Sequence, residues 1–136
     1  MSLALATRRA RLLAVRDAID ANGGGALHLH AGTMEPNPET AASSPPLVIV
    51  ALAPVSFVMH AGAAQMDLVP AQGHAALSGQ VTWARYVDGA GNPVSDHTAG
   101  PPGSGAQIVV TDGATVPTAQ VYTGGEINVT HTVIEP

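Results

Sequence analysis

Apolar and polar positions along the chain divide it into one helical segment followed by a series of short strand-like segments. Residues 2–22 are rich in Ala and Leu, contain no Gly or Pro, and stop at Asn22-Gly23-Gly24-Gly25, which predicts one helix and its terminator. Projected at about 100° per residue, Leu5, Leu12, Val15 and Ile19 share a side with Arg8, Arg9, Arg11 and Arg16. The other side carries Leu3, Ala6, Thr7, Ala10, Ala14 and Ala21, so oil and charge are not on opposite faces. The arginines crowd the first half and Asp17 and Asp20 the end, an order that opposes the helix dipole. Such a face gains most from a surface that offers aliphatic contacts and acidic groups together. Leu5, Arg8, Arg9, Leu12, Val15, Arg16 and Ile19 are therefore the candidate partner-binding residues. The competing reading is that the helix caps its own domain, with the Arg stems lying along a solvated rim.

Beyond the glycines the period changes to that of strands. Residues 26–31 alternate Leu27 and Leu29 with His28 and His30, and a Pro- and Ser-rich loop follows over residues 32–46. The apolar run 47–53, bracketed by Pro46 and Pro54, predicts a strand buried on both faces. Residues 55–59 and 65–68 predict a hairpin through His60-Ala61-Gly62, and 81–87 predicts a strand running into the turn Asp88-Gly89-Ala90-Gly91-Asn92-Pro93. Further strands are expected at 107–111, 119–122 and 126–134, with a flexible Gly/Pro stretch at 100–105. Seven or eight short strands separated by turn signals point to a mainly β fold: an antiparallel β-sandwich or jelly-roll-like barrel with one N-terminal helix. The expected organisation is helix 1–22, a glycine joint at 23–25, and one β body over 26–136.

Composition narrows the function. Of the 136 residues 46% are apolar, but only 3% are aromatic and 11% charged, so aliphatic residues build the core and little charge solvates the surface. That favours a surface meant to be covered, and self-association is expected, with a trimer as the specific form. Lys is absent, four of five basic residues lie in the first 16 positions, and the body is acidic, which excludes broad nucleic-acid binding and favours acidic protein as partner. The longest apolar run is too short to span a bilayer, and the N-terminus does not read as a secretory signal. With no Cys, disulfides and thiolate chemistry are excluded.

No catalytic pattern survives inspection. Ser104 lies in Pro102-Gly103-Ser104-Gly105, without a nucleophile elbow, and the glycine-rich stretches carry no Gly-Lys-Ser/Thr. Asp96-His97-Thr98 places acid beside base, but strand neighbours point oppositely. His28 and His30, spaced i, i+2 on a strand, would share a face and could chelate one metal, with His131 a third ligand if the last strand lay alongside. Equally, His alternating with Leu is simply a polar strand face, and the expectation is no resident metal, no cofactor and no enzymatic activity.

Four segments carry a resemblance. They are the Arg-bearing helix ending Asp17-Ala18-Ile19-Asp20-Ala21, then Leu27-His28-Leu29-His30-Ala31-Gly32-Thr33 entering a Pro-rich loop. After them come Val81-Thr82-Trp83-Ala84-Arg85-Tyr86-Val87-Asp88-Gly89 and Gly124-Gly125-Glu126-Ile127-Asn128-Val129-Thr130. In this order the chain resembles small Ala/Thr/Gly-rich virion structural proteins of tailed bacteriophages. The resemblance implies a virion role by protein–protein contact and brings no catalytic residues. A capsid decoration or cement protein bound to the major capsid protein is the first expectation, made in the host bacterial cytoplasm and located in the virion. A neck, collar or tail-associated component is the second, and a small-ligand or carbohydrate-binding β module the third.

Overall fold

The computed structural model describes residues 2–112 and 119–135. It is mainly β with one N-terminal helix, and its mixed, largely antiparallel sheet curls into a half-barrel. Helix α1 spans Leu5–Asp20. The strands are β1 (Ala26–His30), β2 (Val48–Ala51), β3 (Phe57–Met59), β4 (Gln65–Leu68), β5 (Ala71–His74), β6 (Gly79–Gln80), β7 (Trp83–Val87), β8 (Pro93–Gly100), β9 (Ile108–Thr111), β10 (Gln120–Val121) and β11 (Glu126–Ile134).

The main sheet runs β2-β1-β7-β8-β9-β11-β4-β3, with β5 also on β11; β6 and β10 form a separate pair. Every pairing is antiparallel except β8 with β9, which run parallel over two residue pairs. The nine residues of β11 serve three partners, β9 and β5 on its first part and β4 on its last. Curvature brings β5 back to β2: Val48 bridges Ala75, and a Cβ on Gly73 would stand 3.1–3.2 Å from Ile49 O and the Val48 and Val50 side chains. A side chain here would force its neighbours to give by a few tenths of an ångström, so glycine eases the close approach.

The concave face is filled by Leu27, Leu29, Val48, Val50, Phe57, Met66, Ala84, Tyr86, Ile108, Val110, Ile127 and Val129. The helix closes the open side by adding Leu12 and Ile19, both buried. It is tied down at its C-terminal end. Gly89 N donates to Ala21 O, Asn22 Nδ2 donates to Asp88, and Ser56 N donates to the Asp20 carboxylate. A Cβ on Gly89 would lie 2.0 Å from Asn22 O, so the turn after β7 can seat under the helix end only as glycine. Within the glycine joint, a Cβ on Gly25 would meet Ile19 O and Val87 O, whereas one on Gly23 or Gly24 would meet nothing within 4 Å.

Three sequence expectations change. The run 47–53 is not buried on both faces. Its strand alternates, with Val48 and Val50 inward and Ile49 and Ala51 exposed, because the loop that covers the outer face passes over β7 instead. β7 is the strand buried on both faces. Strands β5 and β6 and the full length of β8 were not anticipated.

Candidate functional site

Register on the outer face of the sheet sets two rows. His28, Arg85 and Asp96 stand side by side across β1, β7 and β8, and His30, Trp83 and Thr98 form the next row. Each strand alternates, so these polar and aromatic side chains lie opposite the core that Leu27, Leu29, Ala84 and Tyr86 enter. Loop 31–46 folds over both rows. Trp83 Nε1 donates to Ala31 O at 3.1 Å, Thr82 Oγ1 to Gly32 O at 2.6 Å, and Glu35 accepts from Ser43 N and Oγ.

Under this cover Arg85 and Asp96 make a bidentate ion pair, with Nε–Oδ1 at 2.7 Å and Nη2–Oδ2 at 3.0 Å. Both side chains are nearly inaccessible. His30 stacks on Trp83 with ring centres 4.4 Å apart and planes 13° from parallel, while Arg85 sits over the indole at 5.4 Å. Burial, with the Arg85 charge beside it, lowers the His28 pKa; burial, then His28 and Arg85, lower that of His30. Both imidazoles are therefore neutral near pH 7. Among the described residues neither ring nitrogen of His30 has a hydrogen-bond partner, although the residue is 1% exposed. Between loop and sheet lies a cleft of about 600 Å³, lined by His28, His30, Glu39, Ser43, Arg85 and Pro93 among others.

A second histidine set lies inside. His131 Nδ1 is 2.8 Å from Tyr86 Oη, and the two rings stack at 13°. His97 meets His131 edge-on at 4.8 Å and holds Ser95 Oγ at 2.9 Å through Nε2. Burial presses the His131 pKa down to about 3 and, with nothing charged to accept it, drives the Tyr86 hydroxyl up. His131 faces the core while His28 and His30 face the loop, so the expected third partner for those two is on the wrong side of the sheet. Among the described residues no three His, Asp or Glu side chains form a metal cluster.

The seven helix residues predicted to meet a partner are distributed otherwise. Leu12 and Ile19 belong to the domain's own core. Arg9 donates to His60 O and Ala63 O in the β3–β4 hairpin, Arg8 to Glu135 O, and Arg11 pairs with the Glu135 carboxylate at 2.9 Å. These arginines therefore act as clamps between helix and body. Arg16 stays near Asp17 at 3.5 Å, and Leu5 and Val15 remain exposed. Of the seven, two enter the core, Arg8 and Arg9 reach backbone carbonyls of the body, and Leu5 and Val15 face solvent.

Beside the β10–β6 pair and on the outer face of β3, β4 and β11, apolar groups reach solvent. Val58 and Ile134 project from the outer face of the latter, beside a carboxylate, Asp67, that accepts from Thr132 Oγ1 and pairs with His60 Nε2, both at 2.6 Å. Those contacts, Thr132 first, hold the Asp67 pKa down. Tyr122 and Leu77 are exposed at the other. No helix among the described residues is long and apolar enough to cross a membrane. No protein-family model, curated protein or solved structure matches this chain.

Proposed function

We propose that the chain is a virion structural protein of a tailed bacteriophage, a capsid decoration or cement protein that binds the major capsid protein and other copies of itself through the β body. The observation that carries the reading is the outer face of β3, β4 and β11. There the polar groups of His60, Asp67 and Thr132 satisfy one another, and Val58 and Ile134 stand exposed beside them. A face whose polar atoms are already paired loses little on desolvation, while its aliphatic side chains gain by being covered. β3 is also the terminal strand of the sheet order, where a further strand can add. The low charge content and the four-segment resemblance support the same reading. On the helix, Leu5, Val15 and Arg16 are the members of the predicted face that still reach the surface.

Particles produced with and without the protein, imaged by electron cryomicroscopy, test this. Many copies distributed over the shell are expected. A few copies on the tail axis would move the assignment to a neck or tail component, and particles free of the protein would end the virion reading. Replacing Val58 and Ile134 by Asp should remove the protein from the shell without unfolding it.

A further inference from the structure

We propose that His28 and His30 form a two-imidazole binding site for a divalent late first-row transition ion, with Cu²⁺ bound most tightly. Three observations converge on these residues. They occupy i and i+2 of β1, so both rings leave the same face of one rigid strand, which pairs on both sides. His30 is buried with both nitrogens unpartnered among the described residues, an arrangement that leaves a donor and an acceptor unsatisfied and that a bound ion on one nitrogen relieves in part. The two rings line a cleft of about 600 Å³, roomy enough to complete the coordination with water or an incoming donor.

The geometry fits with two adjustments, the approach of His28 and the uncovering of a His30 nitrogen that is now buried. Two imidazoles on adjacent positions of one ion at metal–nitrogen bonds of about 2.0–2.1 Å hold their ring centres about 4.5–5 Å apart, the shorter value for the tetragonal geometry of Cu²⁺. Here the centres are 6.3 Å apart and the planes 58° from each other, so His28, which is only half buried, must turn toward His30. His30 itself is fixed by its stack on Trp83. The surrounding charge does not oppose a cation. Asp96 neutralises Arg85 through two hydrogen bonds, and the loop that forms the opposite wall brings Glu35 and Glu39. No third His, Asp or Glu among the described residues completes a cluster, so the site offers two protein ligands and open positions. Imidazole donors favour Cu²⁺, Ni²⁺ and Zn²⁺ over Mg²⁺ or Ca²⁺, and the order of stability places Cu²⁺ first.

The chain has one tryptophan, and it is the ring on which His30 stacks, so the site carries its own reporter. The full chain is titrated at pH 7.5 in a non-coordinating buffer with CuCl₂, NiCl₂, ZnCl₂ and MgCl₂, following Trp83 emission and the heat of binding. Saturable quenching by one equivalent of Cu²⁺ is expected, weaker binding of Ni²⁺ and Zn²⁺, and none of Mg²⁺. His28→Asn should weaken Cu²⁺ at least about tenfold and keep the parent melting temperature, since His28 is not in the core. His60→Asn/His74→Asn should bind as the parent does. No saturable quenching, or Cu²⁺ affinity unaffected by His28→Asn, or affinity lost in the His60/His74 variant, would each overturn the assignment.

Discussion

Lowering the pH from 7.5 to 5 should destabilise this protein through His131. The ring is 6% exposed, enclosed by Tyr86, Phe57 and His97, and its folded pKa is about 3 against an ordinary value of 6.5. With the folded pKa below the unfolded one, the unfolded chain takes up the proton first. Stability is therefore complete above about pH 7, falls as the pH drops through 6.5, and stops falling once the pH passes below the folded pKa. Each pH unit inside that window costs about 1.4 kcal/mol, so roughly 2 kcal/mol is lost at pH 5. His97, whose pKa burial also lowers, adds to the loss with the same sign. Asp88, held near 2 chiefly by Asn92, and Asp67, whose pKa is also lowered, lose their contributions only at lower pH. Urea unfolding followed by Trp83 emission at pH 7.5, 6.5, 5.5 and 5.0 measures the slope. The His131→Gln variant keeps an acceptor for the Tyr86 hydroxyl but cannot titrate, and its slope should be shallower by about 1 kcal/mol per pH unit. Equal slopes in parent and variant would refute the argument.

Other substitutions test the packing. Leu12→Ala should cost about 2–5 kcal/mol in urea unfolding, because the side chain closes the half-barrel and the helix cannot leave without exposing Phe57 and Met66. Removing residues 2–21 should accordingly yield insoluble or low-melting protein, whereas a body that melted as the parent does would restore the helix as a detachable arm. Asp96→Asn strands the buried Arg85 charge and should cost about 3–5 kcal/mol, readable as a lower thermal midpoint. Gly89→Ala forces a methyl group into Asn22 O and should destabilise by more than about 3 kcal/mol by the same assay.

Much of this was legible in the chain. Helix α1 ends where Asn22 and the glycines said it would, β1 alternates as read, and the hairpins at Phe57–Leu68 and around Asp88–Asn92 form through their turn residues. What escaped has physical reasons. β5 reads Ala-Gln-Gly-His, with no apolar alternation, and forms by pairing with β11, a partner more than fifty residues away. Ser95, His97 and His131 point into the core, where a hydrophobic pattern would not place them, because Tyr86 and one another satisfy their polar atoms. For the candidate site, the shared face of His28 and His30 was visible as a two-residue spacing. The loop that covers them, the Trp83 stack and the Arg85–Asp96 pair depend on cross-strand register, which no local pattern encodes. The mixed aliphatic and cationic face of α1 was likewise visible, but not that His60 O, Ala63 O and Glu135 would receive it.

The placement of β11 has a consequence for how the protein is made. This strand follows in sequence every strand it joins, and it alone links β4 and β5 to β9. During synthesis the residues up to Gly100 can pair β1, β2, β7 and β8 and close the β3–β4 hairpin, but that hairpin and β5 join the sheet by strand pairing only when Glu126–Ile134 has been made. Until then the core around Phe57 and Met66 lacks Ile127, Val129 and His131. A nascent chain stalled before residue 126 is thus an open, sticky half-sheet, and its last nine-residue strand is the step that turns a collection of hairpins into one domain.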